Sequence, residues 1–428
     1  ELFNVIEDTK ARFIITSREN EHKSRAVAEK LKHISQIKEI IQIEELENYF
    51  NLYDNDIYYN TYYDRNNELL PNSSEFMSAV MFTSGTTGRP KPIIRGHTDL
   101  IYSSIELQDP DLLGLDSDKD CASFNMPTFH SGGLYYLLHF LIAGCKMAFF
   151  SGYDEDKFLS YVQKYKITIA FLLHSRLTQL VTSDENTSRY DLSSLKEIFY
   201  DGANLIDGIA TKAVQKFSLK HIRQVAGQSE IGWVAICPRS LSQPETKSVG
   251  LPAPGLEIKI TELDTGRTVG PMKIGEIRIK SKHSTKGYLN RQKKLTENLY
   301  DKDGFVKTGD AGYYDDKGFL YHVDRVCWLI RCAGNVLIAS HLEAIIKGHD
   351  SVSEAVVIPV DSEKFGQLPK AFITVKKNCV VNEQEIIEYL SDRIEGSYKN
   401  HIRVTILDQM PISPNGRGRI RKGVLLQM

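Results

Sequence analysis

Nine consecutive residues, Thr83-Ser84-Gly85-Thr86-Thr87-Gly88-Arg89-Pro90-Lys91, carry the plainest chemistry in the chain. Four hydroxyls and two glycines fall within six positions, and a lysine follows three residues after the second glycine. Small residues let successive backbone N–H groups turn toward one point and form a nest for an anion. The hydroxyls add donors and the lysine adds a positive charge, so the loop suits a polyphosphate. A short apolar run, Ala79-Val80-Met81-Phe82, precedes it and reads as a buried strand. This is not a Walker sequence, because Lys91 lies between two prolines and not in a Gly-Lys-Ser/Thr opening a helix. An ordinary Ser/Thr/Gly surface loop is the plainer alternative. The lysine spacing after an apolar strand favours phosphate.

Four further constellations follow in order. Pro127-Thr128-Phe129-His130 places an aromatic beside a histidine. Tyr200-Asp201-Gly202-Ala203 is a strand-to-turn sequence, and Asp-Gly is good turn chemistry in any protein. Gln224 through Glu230 ends in Ser229-Glu230, and a carboxylate there is a natural ligand for a hard cation such as Mg²⁺. Thr308-Gly309-Asp310 ends in an aspartate that, taken alone, would more often be a turn residue.

In this order the segments resemble the adenylate-forming superfamily, which includes acyl-CoA synthetases, peptide-synthetase adenylation domains and firefly luciferase. The loop is similar to its phosphate-binding signature, with Thr83, Ser84, Gly85, Thr86, Thr87, Gly88 and Lys91 in place. His130 falls where the family's acyl pocket has its histidine, and where peptide-synthetase domains carry an aspartate for an α-amine. The resemblance therefore implies an acid without an α-amino group. Gly202 and Ala203 resemble the turn against adenine, with Asp201 replacing a glycine. Gly227, Ser229 and Glu230 resemble the Tyr-Gly-x-Thr-Glu motif, with Ala226 replacing the tyrosine. Asp310 and Arg325 resemble the ribose-binding pair, and Gly287-Tyr288-Leu289-Asn290 a mostly structural motif. Cys327 stands at the usual hinge position. Arg419, in Gly418-Arg419-Ile420, stands where the family has a catalytic lysine; it keeps the charge as a broad planar fork.

Strand and helix patterns alternate from Glu1 to about Val225, as in layered α/β folds with largely parallel strands. After Pro238, runs such as Leu256-Glu257-Ile258-Lys259-Ile260 alternate apolar and polar residues, as half-buried antiparallel strands do. The expected architecture is α/β. A layered N-terminal domain, residues 1–325, would hold ATP and the acid and include a small β-barrel subdomain at 246–325. A small, mobile α+β lid would span 326–428. The tyrosine-rich stretch Tyr53 to Tyr63 reads as a connecting loop.

The 428 residues can bury a large core. A net charge of -2, with both signs interspersed, argues against a nucleic-acid partner. Six scattered cysteines fit reduced thiols in the cytoplasm better than a disulfide framework or structural zinc. The apolar stretch from Leu134 to Phe150 is broken by His139, Gly144 and Lys146, so it reads as helix, stop and strand, not a membrane span. The chain opens on Glu1, and family members place the phosphate loop further from the N-terminus, which implies an N-terminally shortened chain. The resemblance implies an ATP-dependent acid–thiol ligase that activates a fatty or aryl acid as acyl-AMP with Mg²⁺ and passes it to coenzyme A. An acyl carrier protein as acceptor, or a nucleotide- or acyl-binding relative without turnover, remain the alternatives.

Overall fold

The computed structural model describes residues 2–9, 11, 13–31, 37, 39–42, 77–83, 91–150, 153–183, 187–201, 205, 208–242, 247–289, 293–333, 335–396, 399–412 and 420–428. Helix α1 (Leu2–Thr9) and strand β1 (Phe13–Thr16) open the described residues. Helix α2 (Glu21–Lys30) leads to β2 (Glu39–Gln42), which pairs in parallel with β1. Ile6, Ile14 and Leu31 pack together beneath this unit. The tyrosine-rich stretch lies outside the described residues.

Strands β3 (Met77–Thr83) and β4 (Lys91–Gly96) form an antiparallel hairpin with Thr83 opposite Lys91. Of the run Ala79–Phe82, expected to be buried, only Met81 is fully so. A two-stranded ribbon covers its strands less than a wide parallel sheet does. Helix α3 (His97–Ile105) follows directly, and the Asp99 carboxylate accepts the Gly96 N–H at 2.9 Å to fix its first turn.

The central layer is a seven-stranded sheet. It contains β5 (Cys121–Phe124), β6 (Lys146–Phe149), β7 (Ile169–Leu173), β8 (Glu197–Asp201), β9 (His221–Gln228), β10 (Gly232–Ile236) and β11 (Leu251–Pro252), in the order β11-β10-β9-β8-β7-β5-β6. Strands β5 to β9 run parallel, and β10 and β11 are antiparallel additions at one edge. The run Ile169-Ala170-Phe171-Leu172 is buried throughout, as expected for a parallel strand covered on both faces. Crossovers are made by α4 (Ser131–Ala143), α5 (Glu155–Tyr165), α6 (His174–Thr182) and α7 (Ile209–Phe217). Helix α4 ends at Gly144, whose φ of 67° lets the chain reverse into β6. Helix α5 starts on Asp154, whose carboxylate accepts the Lys157 N–H at 2.8 Å, and buries Phe158, Leu159 and Val162 against the sheet.

Strands β12 (Leu256–Thr261), β13 (Thr268–Val269), β14 (Gly275–Ser281), β15 (Val306–Tyr314) and β16 (Leu320–Arg325) make an antiparallel sheet in the order β13-β12-β14-β15-β16. The alternation read from the sequence is present, but among the described residues the sheet is open and forms no closed barrel. Its apolar face, with Ile260, Ile277, Ile279 and Val306, packs on Ile231, Val234 and Val249 beside the central sheet. Burial against that neighbour replaces closure.

Beyond Arg325 come β17 (Leu329–Cys332), β18 (Asn335–Ile338), α8 (Ala339–Lys347), β19 (Val352–Ser362), β20 (Gly366–Val375), α9 (Glu383–Ser391) and β21 (Arg403–Ile406). Their sheet runs β18-β17-β20-β19, with β21 parallel to β20. Ile330, Leu342, Ile346, Ala355, Ile373, Ile386 and Leu390 form its own core. This is the mixed α/β fold with a smaller C-terminal α+β unit that the sequence pattern led us to expect.

Candidate functional site

The end of β9 and the turn after it bring the site together. Gly227 and Gln228 close the strand, and Ser229 and Glu230 form the turn into β10. The three residues after Gly227 reach in three directions. Gln228 Nε2 donates to Thr308 O at 2.8 Å and lies 3.4 Å from Asp310 Oδ2. Ser229 Oγ is 2.6 Å from Ser131 Oγ, at the first residue of α4. Glu230 Oε1 accepts the Tyr288 hydroxyl at 2.9 Å.

The turn is anchored from beneath by Arg95, on β4 and fully buried. Its guanidinium donates to Glu230 O at 3.0 Å, His283 O at 2.9 Å and Ile231 O at 3.3 Å, and it also bonds the Tyr135 hydroxyl. A buried cation held by carbonyl dipoles fixes the position of Glu230 relative to β4, the strand that starts at Lys91. Gly232 follows with φ of 102°, and a Cβ there would stand 3.2 Å from the Tyr135 ring. That combination favours glycine at the turn.

Lys91 Nζ lies 5.7 Å from the centroid of the Tyr288 ring. One tyrosine therefore touches both the lysine and the glutamate, through its face and its hydroxyl. Burial, and then the Glu230 charge, push the Tyr288 phenol well above its ordinary range, so it stays a donor. Thr83 is the register partner of Lys91. Ser84, Gly85, Thr86, Thr87 and Gly88 lie outside the described residues.

Asp310 on β15 faces Arg325 on β16 as its register partner, and Arg325 Nη1 donates to Asp310 Oδ1 at 2.7 Å. His322 Nε2 lies 3.5 Å from the same oxygen. Burial works against ionising Asp310, but the hydrogen bond and charge from His322 and the Arg325 guanidinium outweigh it and hold the carboxyl below its usual range. Gly309, with φ of 68°, turns the strand where a Cβ would come within 3.3 Å of Arg325 Nη2. The two residues thus form one ion pair.

His130 caps α4: its Nδ1 accepts the Gly132 N–H at 3.2 Å, which places the proton of the neutral ring on Nε2. A pocket opens beside it, lined by Tyr135, Tyr136, Asp201, Val225, Gly227 and Trp233 among others. It encloses about 370 Å³ counted with its open mouth. Asp201 ends β8 at this wall. Gly202, Ala203 and Arg419 lie outside the described residues.

A magnesium ion prefers oxygen ligands and is commonly held by one or two carboxylates plus phosphate oxygens. Glu230 fits that pattern: Tyr288 takes one carboxylate oxygen, and among the described residues no donor takes the other. No group of three or more His, Cys, Asp or Glu suited to a metal occurs among the described residues, so the other ligands would be phosphate and water. All six cysteines are free, as the scattered spacing suggested.

Several residues at the site were not singled out by the sequence. Tyr288 was read as part of a structural Gly-Tyr motif, though a tyrosine two segments beyond a glutamate motif carries no spacing signal. Arg95 stands four residues after Lys91, but nothing in the sequence marks it as buried. Gln228 and His322 reach Asp310 only through tertiary pairing.

The AMP-binding enzyme family model matches residues 1–289, and the AMP-binding enzyme C-terminal domain model matches residues 341–417. The chain belongs to the AMP-binding, adenylate-forming enzyme family. It is similar to 4-coumarate–CoA ligase-like 9 of Arabidopsis thaliana, 33% identical over 352 residues, covering 79% of this chain and 60% of that protein. A luciferin 4-monooxygenase of Nipponoluciola cruciata is 29% identical over 355 residues, covering 82% of this chain and 64% of that protein. The chain thus spans less than two thirds of the length of these curated relatives. ATP-bound MatB from Rhodopseudomonas palustris shares the fold, with a TM-score of 0.81 at 22% identity over 100% of this chain and 81% of that one. No helix among the described residues is long and apolar enough to cross a membrane.

Proposed function

We propose that this chain is an ATP-dependent acid–thiol ligase that activates a carboxylic acid as acyl-AMP and passes it to coenzyme A. One observation carries the reading. Three consecutive residues, Gln228, Ser229 and Glu230, link the Asp310–Arg325 pair, the start of α4 beside the pocket, and the Tyr288–Lys91 contact. Such a turn suits a reaction that needs ribose, carboxylate and phosphate held in one register. The relatives that are CoA ligases support coenzyme A as the acceptor.

In this reading Asp310 accepts the ribose hydroxyls with Arg325 beside it, and Gly202, Ala203 and Gly227 face adenine. Thr83, Ser84, Gly85, Thr86, Thr87, Gly88 and Lys91 cradle the β- and γ-phosphates. Glu230 would hold Mg²⁺, which neutralises charge on the phosphate oxygens. His130 and Ser131 border the acid. A carboxylate oxygen attacks the α-phosphorus, the bond to pyrophosphate breaks, and Lys91 steadies the leaving charge. Residues 326–428 form the moving lid, which brings Arg419 to the α-phosphate in the first step and gives way to the thiol in the second. The thiol attacks the acyl carbon and AMP leaves. Free thiols throughout suit a reducing compartment such as the cytoplasm.

ATP–pyrophosphate exchange over a panel of carboxylic acids tests this, followed by thioester analysis when coenzyme A is added. Acid-dependent exchange and an acyl-CoA product are expected. Nucleotide binding with no exchange for any acid would instead mark a binding protein.

A further inference from the structure

One short segment ties the Glu230 turn to the strand that begins at Lys91. Residues 285–289 bond to both. Against β4, Gly287 O accepts the Ile94 N–H at 3.0 Å, and Leu289 N donates to Pro92 O at 2.8 Å, next to Lys91. Against the turn, Thr285 N donates to Glu230 O at 2.7 Å. The path of the segment is tight. Gly287 has φ of 128°, and a Cβ there would stand 2.4 Å from the Thr296 side chain.

Thr285 is where the two attachments meet. It is 1% exposed. Its Oγ1 lies 2.6 Å from Ile94 O and 3.0 Å from Gly287 O, and it accepts the Gly287 N–H at 3.0 Å. A hydroxyl has one proton to give, and the shorter distance assigns it to Ile94 O. The side chain of Thr285 therefore holds β4 while its N–H holds Glu230 O. The Tyr300 hydroxyl donates to Thr285 O, so every polar group of this residue is committed.

Glu230 O accepts from both Thr285 N and Arg95 Nη1, which fills its two lone pairs. Arg95 reaches that oxygen through a long side chain. Thr285 reaches it through backbone that is itself bonded to β4. The place of the Glu230 carboxylate relative to Lys91 follows from that backbone. Groups that orient a metal ligand without touching the metal change metal affinity by about 10–100-fold when removed.

We propose that Thr285 is a positioning residue for the nucleotide-bound metal: its hydroxyl fixes the segment that sets Glu230 against the Lys91 strand. The proposal rests on the Glu230 role in the reading above and adds the residue that places it.

Calorimetric titration of the full chain with ATP, once with Mg²⁺ and once with EDTA, tests it. The ratio of the two affinities is the gain from the metal. Thr285→Val keeps the shape and removes the hydroxyl, and the gain should fall about tenfold. Thr285→Ser keeps the hydroxyl and should recover most of the gain. Tyr300→Phe frees the Thr285 carbonyl without altering Glu230 and should lower the gain in the same direction; it decides if Thr285→Val does not fold. Thermal melts record stability separately. A lower melting temperature with an unchanged gain overturns the proposal, as do equal gains in the valine and serine forms or a wild type with no gain. ATP–pyrophosphate exchange on the same proteins separates this proposal from acid activation. A gain lost in the valine form, with no exchange for any acid, keeps the proposal and overturns acid activation. Exchange in the wild type, with a gain that Thr285→Val leaves intact, does the reverse.

Discussion

At the residue scale, Asp310 is held ionised by its neighbours, and this sets two expectations. Asp310→Ala should weaken ATP binding by the loss of two charge-assisted hydrogen bonds, roughly 1.5–3 kcal/mol each; calorimetry with ATP reads this directly, and unchanged affinity would remove Asp310 from the site. Because the folded-state pKa lies below the ordinary value, the carboxylate's contribution to stability is fully present above about pH 4. It is lost only as pH falls further, through the depressed folded-state pKa. Asp310 itself therefore stays ionised from pH 5 to pH 7. Tyr288 provides a second test. Tyr288→Phe keeps a ring beneath Lys91 but removes the hydroxyl that holds Glu230. The loss of one hydrogen bond to a charged group, about 1.5–3 kcal/mol, should raise the Mg²⁺ concentration for half-maximal adenylation by about tenfold or more. A wild-type magnesium curve would show that Tyr288 does not position the glutamate.

At the scale of elements, the site depends on the register of β8 and β9, and a buried charge cluster fixes that register. Glu197 on β8 takes Arg223 of β9 at 2.6 Å and Arg239 at 2.9 Å, with Glu197 and Arg223 almost wholly enclosed. Glu197→Ala leaves two arginines without their carboxylate and should cost about 3–5 kcal/mol, read as a lower denaturant midpoint. A loss below about 1 kcal/mol would mean that water or carbonyls replace the partner. The strands themselves were legible: short apolar runs such as Ile167–Phe171, alternating with helical patterns, marked the parallel sheet. The hairpin β3–β4 was half legible, since the run before the loop is a strand but a less buried one than its composition implied. The five-stranded sheet was read correctly as alternating antiparallel strands. Its openness was not, because closure depends on which neighbour covers the apolar face.

At the scale of the whole molecule, the chain's order of motifs was legible because each is a local sequence with its own turn chemistry. The couplings between them were not. Arg95, Tyr288 and His322 act through contacts between segments far apart in sequence, and no periodicity reports those. The proposed lid is the remaining large-scale element. If residues 326–428 supply the adenylation cation, Arg419→Ala should slow acyl-AMP formation by about 10²-fold or more and spare thioester formation from added acyl-AMP. Arg419→Lys should match or exceed the wild type, since a compact ammonium fits between two oxygens. Single-turnover assays of each half-reaction measure this, and equal adenylation by all three forms would make position 419 a solvated tail residue. The central claim is attack of a carboxylate on the α-phosphorus, and the fate of the carboxylate oxygen reports it most directly. With an acid labelled by ¹⁸O in its carboxylate, turnover in the presence of ATP and coenzyme A should place one labelled oxygen in AMP and none in pyrophosphate. Label in inorganic phosphate, with ADP as the nucleotide product, would contradict the account.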